Sequence, residues 1–442
     1  MATPRAVIAG LGKTGQSVVR HLLAQGWQVS ATDSRAEPPG LDALRAMAPG
    51  LQVATGGLDA SLLQDADLVV ASPGLPQSDP FFAAARARGL SVVGDVELFA
   101  RKVSGRVVGI TGTNGKSTVT SLVALMGERA GLATRAGGNL GQPALDLLRD
   151  GPAELYVLEL SSYQLETTYS LQLAAATVLN VTPDHLDRYD DVAAYAAAKA
   201  RIFAHCATAV VNLDDPLVAA MPDPAQRVLS FSLRAESGAD YVLRNMEGRD
   251  WLCAAAEPLL ALDAMRIVGR HNAANALAAL AMGDALGLER EAMLRALREF
   301  PGLPHRAAWV ADVAGVRYVN DSKGTNVGAT LAAVAGFTGP LLLIAGGDGK
   351  NQDFLPLRAA LAGKVRRVLL IGRDAQALAA ALRGACELEF CGSLEEAVVA
   401  AARLARPGDT VLLSPACASL DMFRDYAHRG EVFADAVRGL AA

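Results

Sequence analysis

Along this chain, short apolar runs alternate with longer stretches of helical spacing. The runs are Ala6 to Ala9, Asp67 to Ala71, Ser91 to Val93, Val107 to Ile110, Tyr156 to Leu160, Ala176 to Asn180, Leu341 to Ala345, Val368 to Ile371, Leu388 to Phe390 and Thr410 to Leu413. Runs that are apolar at consecutive positions, rather than at every second one, read as strands covered on both faces, with the helical stretches as crossovers of a parallel sheet. The pattern predicts an α/β protein. At 442 residues the chain exceeds what one hydrophobic core serves, so about three domains are expected.

Several strands end in glycine-rich turns. Residues 5–33 read as strand, Gly10-Leu11-Gly12-Lys13-Thr14-Gly15 turn, helix from Ser17 to Gln25, and a second strand ending at Asp33. That is the βαβ pattern of a dinucleotide site; it would serve NAD, another nucleotide diphosphate, or close helix packing alone. The second turn is more specific. Val107 to Ile110 leads into Thr111-Gly112-Thr113-Asn114-Gly115-Lys116-Ser117-Thr118 and then a helical pattern. Glycines there let backbone N–H groups approach phosphate oxygens at a helix N-terminus, with Lys116 reaching the terminal phosphates and Ser117 or Thr118 available to Mg²⁺. Ile110 stands where the usual P-loop spacing places its first glycine.

Other polar groups sit just past strands, where ligands of open α/β sheets bind. Glu159 lies in an apolar run before Ser161-Ser162-Tyr163-Gln164 and, if buried, needs a partner or a cation. His185 follows Asp184 after the next strand and could equally be a capping or packing histidine. Lys199, within Tyr195 to Arg201, reads on propensity alone as a solvated helix lysine. Gly269-Arg270-His271-Asn272 precedes an alanine-rich helix from Ala273 to Leu286. In the last third, Asn320 to Asn326, Gly346 to Lys350 and Ser414 to Asp421 form three polar loops at strand ends, and three on one sheet suggest a binding edge.

Composition narrows the class. A net charge of −5 disfavours a nucleic-acid surface, no apolar run approaches the ~18 residues of a membrane span, and the N-terminus enters a strand without a signal sequence. A cytoplasmic protein is expected. Five scattered cysteines without C-x-x-C spacing predict reduced thiols rather than disulfides or zinc ligands. Of 41 basic residues only Lys13, Lys102, Lys116, Lys199, Lys323, Lys350 and Lys364 are lysine. Five of these seven fall in the segments above, where a compact point charge or a modifiable amine has a use that arginine lacks.

These motifs, in this order, resemble the Mur ligase family, and the resemblance runs the length of the chain. It adds Ser72-Pro73-Gly74, Gly137-Gly138-Asn139, Asp184 to Tyr189, Pro304-His305-Arg306 and Asp321-Ser322-Lys323, and the P-loop spacing is the family's own. Ser414 to Asp421 and the short glycine-rich first domain favour the glutamate-adding branch. The resemblance implies an N-terminal Rossmann-like domain at 1–95 for a UDP substrate, a central P-loop ATPase-type sheet at 96–302, and a C-terminal Rossmann-like domain at 303–442 for the amino acid. The implied reaction is ATP-dependent ligation of D-glutamate to UDP-N-acetylmuramoyl-L-alanine through an acyl phosphate, in peptidoglycan precursor synthesis. L-Glutamate is the alternative, since both enantiomers need the same charges.

By the same resemblance, Lys116, His185, Lys199 and Lys323 carry catalysis. ATP falls to Gly112, Thr113, Asn114, Gly115, Lys116, Ser117, Thr118, Asn272, Arg306 and Asp321. Two Mg²⁺ ions fall to Ser117, Glu159, His185 and a CO₂-derived carbamate on Lys199. Lys13, Thr14, Asp33, Ser34, Arg35, Gly74 and Asn139 match the UDP-substrate positions, and Thr325, Lys350, Ser419, Leu420 and Tyr426 the amino-acid pocket. The expected form is a monomer that binds no nucleic acid and closes its domains for catalysis. Tyr426 departs from the family's phenylalanine, and Lys13 from the apolar residue common in that turn. A nicotinamide-linked dehydrogenase built on the first βαβ unit would leave the P-loop unexplained, and a nucleotide switch would leave the amino-acid loops idle.

Overall fold

The computed structural model describes residues 3–149, 151–267, 269–337 and 339–440. Three sheets share the chain, and the α/β class is as expected. The first contains β1 (Arg5–Ala9), β2 (Gln28–Asp33), β3 (Gln52–Thr55), β4 (Leu68–Ala71) and β5 (Ser91–Val93), all parallel, in the order β3-β2-β1-β4-β5. Strand order reverses between β1 and β4, which opens a crevice at their carboxyl ends. The Gly10 turn follows β1 and Ser72-Pro73-Gly74 follows β4, so both face that crevice. Gly10 has φ 94° and a Cβ there would lie 2.5 Å from that of Ser72, so only glycine fits this close approach. The helix after it starts at Lys13, four residues before the expected start, because Gly12 already occupies the cap position.

The second sheet holds β6 (Arg106–Thr111), β7 (Thr134–Gly138), β8 (Leu155–Glu159), β9 (Ala175–Val178), β10 (Thr208–Asn212), β11 (Arg227–Ser232), β12 (Tyr241–Met246), β13 (Arg249–Ala254) and β14 (Glu257–Ala261). Its order is β14-β13-β12-β11-β10-β9-β6-β8-β7. Consequently β6 lies between β8 and β9, with Ile110 opposite Glu159 and Thr111 opposite Val178. This register sets Glu159 beside the phosphate loop. The antiparallel β12-β13-β14 extension went unforeseen, because its half-exposed strands mix polar and apolar residues. Behind the sheet, the helix Arg270–Ala285 buries every residue from Asn275 to Gly283. A helix with small residues all round can lie close to strands while being covered on every side.

The third sheet holds β15 (Ala308–Val313), β16 (Val316–Asn320), β17 (Leu341–Gly346), β18 (Val365–Ile371), β19 (Glu387–Phe390) and β20 (Thr410–Leu413), in the order β15-β16-β20-β17-β18-β19. The β15-β16 hairpin was also unforeseen. Leu413 pairs with both Asn320 and Ile344, so the loops after β16, β20 and β17 emerge side by side. The three polar loops therefore share one edge of this sheet.

Candidate active site

The phosphate loop is held from both sides. Asn114 N donates to Asn180 Oδ1 (2.8 Å), Asn180 Nδ2 returns a bond to Asn114 O (3.0 Å), and Thr182 N donates to Thr113 Oγ1 (3.0 Å). Because β9 ends at Val178, two residues early, Asn180 is free to make these contacts. Gly115 caps the helix Lys116–Arg129 at φ 87°, and a Cβ there would lie 2.4 Å from Asn275 Oδ1. The helix N-terminus is therefore open to an anion. Lys116 Nζ folds back onto Gly112 O and Thr113 O at 2.8 Å each, and desolvation lowers its pKa. Ser117 Oγ accepts from Arg306 Nη2 at 2.8 Å, so the third sheet's chain reaches the first turn of the phosphate helix.

Glu159, only 3% exposed, ends β8. Its Oε1 accepts from Asn139 Nδ2 at 2.7 Å, while Oε2 is buried without a hydrogen-bond partner. A buried carboxylate oxygen with nothing to bind is costly and suits a cation. His185 has φ 57° and its Nδ1 lies 2.7 Å from the Tyr163 hydroxyl; burial pushes its pKa down to about 4, which keeps the ring neutral and able to ligate.

Lys199 overturns the propensity-based reading of a solvated lysine. It is 1% exposed, because the face of the helix Val192–Ala200 that carries Tyr195 and Lys199 packs on the phosphate loop. Its Nζ donates to Gly112 O (2.9 Å) and lies 4.3 Å from the Tyr195 ring centroid. Burial, reinforced by Lys116, drives its pKa far below the usual lysine range.

From the third sheet come the opposing groups. Asp321 follows β16 and accepts from Ser414 Oγ (2.8 Å) and Ala307 N (3.1 Å); burial raises it to about 6. Lys323 Nζ sits 3.7 Å from the Tyr426 ring centroid, and burial lowers it to about 8. The tyrosine at 426 thus offers the same ring face to a cation that phenylalanine would. Lys350, at φ 49°, ion-pairs with Asp184 at 3.1 Å. Asn326 Nδ2 donates to Asp184 Oδ2 (3.1 Å) and to Asn114 Oδ1 (3.2 Å), and Asn114 Nδ2 donates back to Asn326 Oδ1 (3.3 Å). These bonds tie the third sheet to the second.

Two adjoining cavities result. One is lined by Asn114, Thr118, His271, Asn272, Arg306 and Asp321, among others, with Phe231 and Ile267 supplying apolar wall. The other gathers Gly74 and Asn139, then Lys116, Glu159, His185 and Lys199, then Lys323, Thr325, Lys350, Ser419, Leu420 and Tyr426. Three sheets thus contribute expected residues to one space. Lys13, Thr14, Asp33, Ser34 and Arg35 line neither cavity; Lys13 and Thr14 follow the glycine turn after β1, and Asp33 to Arg35 lie at the carboxyl end of the neighbouring β2, while Gly74 follows β4 on the other side of β1. Asp33 is 1% exposed, and both its oxygens are engaged, by Leu11 N (2.7 Å) and by the Arg35 guanidinium and backbone. Those bonds support the glycine turn and hold it, as a carboxylate, below its ordinary pKa.

Reasoning from sequence assigned no role to Asp184, Asn326, Tyr163 or Arg429. Arg429 is fully buried and bonds Ser322 and Cys417 O, stitching two site loops together. An arginine in an otherwise apolar helical face was its only signal. Among the described residues no group of three or more His, Cys, Asp or Glu forms a metal cage. Hard oxygens of Glu159 and Ser117 with one imidazole suit Mg²⁺, which takes few protein ligands and completes its octahedron with water and phosphate.

A phosphate loop facing basic side chains of another sheet across a cavity is the arrangement of a nucleotide-using enzyme. The chain belongs to the Mur ligase family. Residues 4–94 match the Mur ligase MurD-like N-terminal domain, 110–283 the Mur ligase middle domain and 305–417 the Mur ligase glutamate ligase domain. UDP-N-acetylmuramoylalanine–D-glutamate ligase of Nitrosococcus oceani is 53% identical over 434 residues, covering 98% of this chain and 96% of that one. The enzyme of the same name from Methylobacillus flagellatus is 52% identical over 438 residues, covering 98% and 96%. In fold, the chain is similar to UDP-N-acetylmuramate-alanine ligase MurC of Thermotoga maritima (TM-score 0.63, 18% identity, 99% and 100% covered). MurF of Acinetobacter baumannii gives TM-score 0.63 at 20% identity, with 98% and 90% covered.

Proposed function

We propose that this protein is the ATP-dependent ligase that adds D-glutamate to UDP-N-acetylmuramoyl-L-alanine in peptidoglycan precursor synthesis, acting as a cytoplasmic monomer. The observation that carries the reading is the single cavity in which Gly74 and Asn139, the phosphate loop, and the Thr325, Lys350 and Ser419 loops meet. Relatives about half identical over nearly the whole chain carry that activity in their names, and among the described residues no helix is long and apolar enough to cross a membrane.

A carboxylate is a poor electrophile, so the alanine carboxylate must be phosphorylated before an amine can displace phosphate from it. The Gly112 to Thr118 loop and Lys116 hold the triphosphate, and Arg306 and Lys323 bring positive charge to the transferring phosphoryl group. The apolar wall of the first cavity, with Asn272 and Asp321, receives the nucleoside. Ser117 and Glu159 would hold one Mg²⁺ and His185 a second, and the ions would supply charge neutralisation there. Lys199 is deprotonated readily enough for its amine to add to CO₂ and release a proton, giving an anionic carbamate that suits a cation where an ammonium would repel one. Lys350 and the Thr325 and Ser419 hydroxyls hold the glutamate carboxylates, and the diphosphate and uridine of the other substrate follow the crevice from Gly74 and Asn139 to Lys13, Thr14 and the Asp33 to Arg35 corner.

Ligand-dependent thermal shift tests this assignment. ATP with Mg²⁺ and UDP-N-acetylmuramoyl-L-alanine should each raise the melting temperature, and NAD(P) should not. A response to NAD(P) alone would favour a dehydrogenase.

A further inference from the structure

The short helix Ser162–Glu166 carries Tyr163 into the cavity wall beside His185. The phenol oxygen lies 2.7 Å from His185 Nδ1, and the two rings meet edge to face at 5.1 Å and 65°. Tyr195 closes the other side of the imidazole at 6.0 Å and 63°. Tyr163 is itself fixed: Tyr189 stacks on it at 6.0 Å and 22°, and the Arg188 guanidinium sits 4.1 Å from its centroid. Arg188 is anchored in turn by Glu166 (2.7 Å) and by Pro73 O (3.1 Å). With Nδ1 engaged, Nε2 is the ring nitrogen left for a ligand; Asp184 Oδ2 at 3.8 Å is too far for a hydrogen bond.

A neutral imidazole presents a lone pair on one nitrogen only if its proton resides on the other. We propose that Tyr163 is a positioning residue for His185, its phenol oxygen accepting the Nδ1 proton so that Nε2 presents its lone pair to the metal in the cavity. The proposal rests on the reading of His185 as a metal ligand, although the tautomer it sets can be observed without metal. The phenol proton then remains free to turn toward solvent or substrate in the cavity. Among the described residues no backbone carbonyl bonds the His185 ring in this way, so removing one hydroxyl leaves the ring held by packing.

Tyr163→Phe keeps the aromatic packing and removes that oxygen. Two-bond ¹H–¹⁵N correlation spectra of the full ¹⁵N-labelled chain, with His185→Gln for assignment, report which ring nitrogen carries the proton. The unchanged protein without metal should show Nδ1–H, and Tyr163→Phe should show Nε2–H or a mixture. Mn²⁺ binding to the ATP-loaded protein, followed by electron paramagnetic resonance, should weaken by roughly tenfold, with turnover at saturating metal changed less. An Nε2–H ring in the unchanged protein, or a tautomer indifferent to Tyr163→Phe, overturns the proposal. A shifted tautomer with unaltered Mn²⁺ affinity would remove His185 from the metal site, and Tyr163's role in metal positioning with it.

Discussion

Asn326 is 3% exposed and serves two structures at once. Its Oδ1 accepts from Ala329 N at 2.8 Å as the cap of the helix Val327–Ala335, and its amide bonds Asn114 twice and Asp184 once across the sheet interface. Serine caps helices as asparagine does but is too short to span the interface, whereas alanine does neither. Both variants lose two neutral bonds at 3.2 and 3.3 Å and one to a carboxylate at 3.1 Å. At about 0.5 kcal/mol for each long neutral bond and about 2 kcal/mol for the charged one, the loss is about 3 kcal/mol. If closure places Arg306 and Lys323 on the phosphates, that loss lowers kcat/KM on the order of 100-fold in both Asn326→Ser and Asn326→Ala. Only the alanine variant should lose a further ~1 kcal/mol of unfolding free energy from the missing cap. Phosphate release at low substrate, paired with denaturant unfolding, separates the two effects. Wild-type kcat/KM in Asn326→Ser would refute the claim that these bonds hold the closed arrangement.

Lys116→Ala should abolish turnover with the fold intact, and circular dichroism beside phosphate release would expose either failure. Lys199→Ala should be inactive and partly restored by short carboxylates; full activity without them would remove Lys199 from the site. Lys323, at about 8, is near half-protonated at pH 8 in the free protein. Because its folded pKa is lowered, the unfolded chain binds more protons between pH 8 and 10.5, and this group makes stability rise with pH across that window. Anionic nucleotide favours the charged form, so calorimetry at pH 8 in buffers of differing ionisation heat should show proton uptake, lost in Lys323→Met; proton release would contradict the placement.

Much of the architecture was legible because parallel strands buried on both faces leave continuous apolar runs, as Val107 to Ile110 and Leu341 to Ala345 do. Edge elements such as β14 and β15 have one exposed face and no such signature. At the site, glycine spacing marked the phosphate loop, and the scarcity of lysine helped rank Lys199 and Lys350. Burial of Lys199 was invisible, since Ala196 to Ala200 is as good a surface helix as a buried one. Asp184, Asn326 and Tyr163 act by reaching side chains distant in sequence, up to 212 residues away for the Asn114–Asn326 pair, and no local pattern records such a contact.

The most direct test of the assignment is phosphate release from the purified protein with ATP, Mg²⁺ and UDP-N-acetylmuramoyl-L-alanine, with D-glutamate and L-glutamate added in parallel. Release that depends on D-glutamate, with formation of the corresponding UDP-linked dipeptide, is the predicted result. Release with L-glutamate alone would keep the mechanism and overturn the specificity, and silence with both would contradict the account.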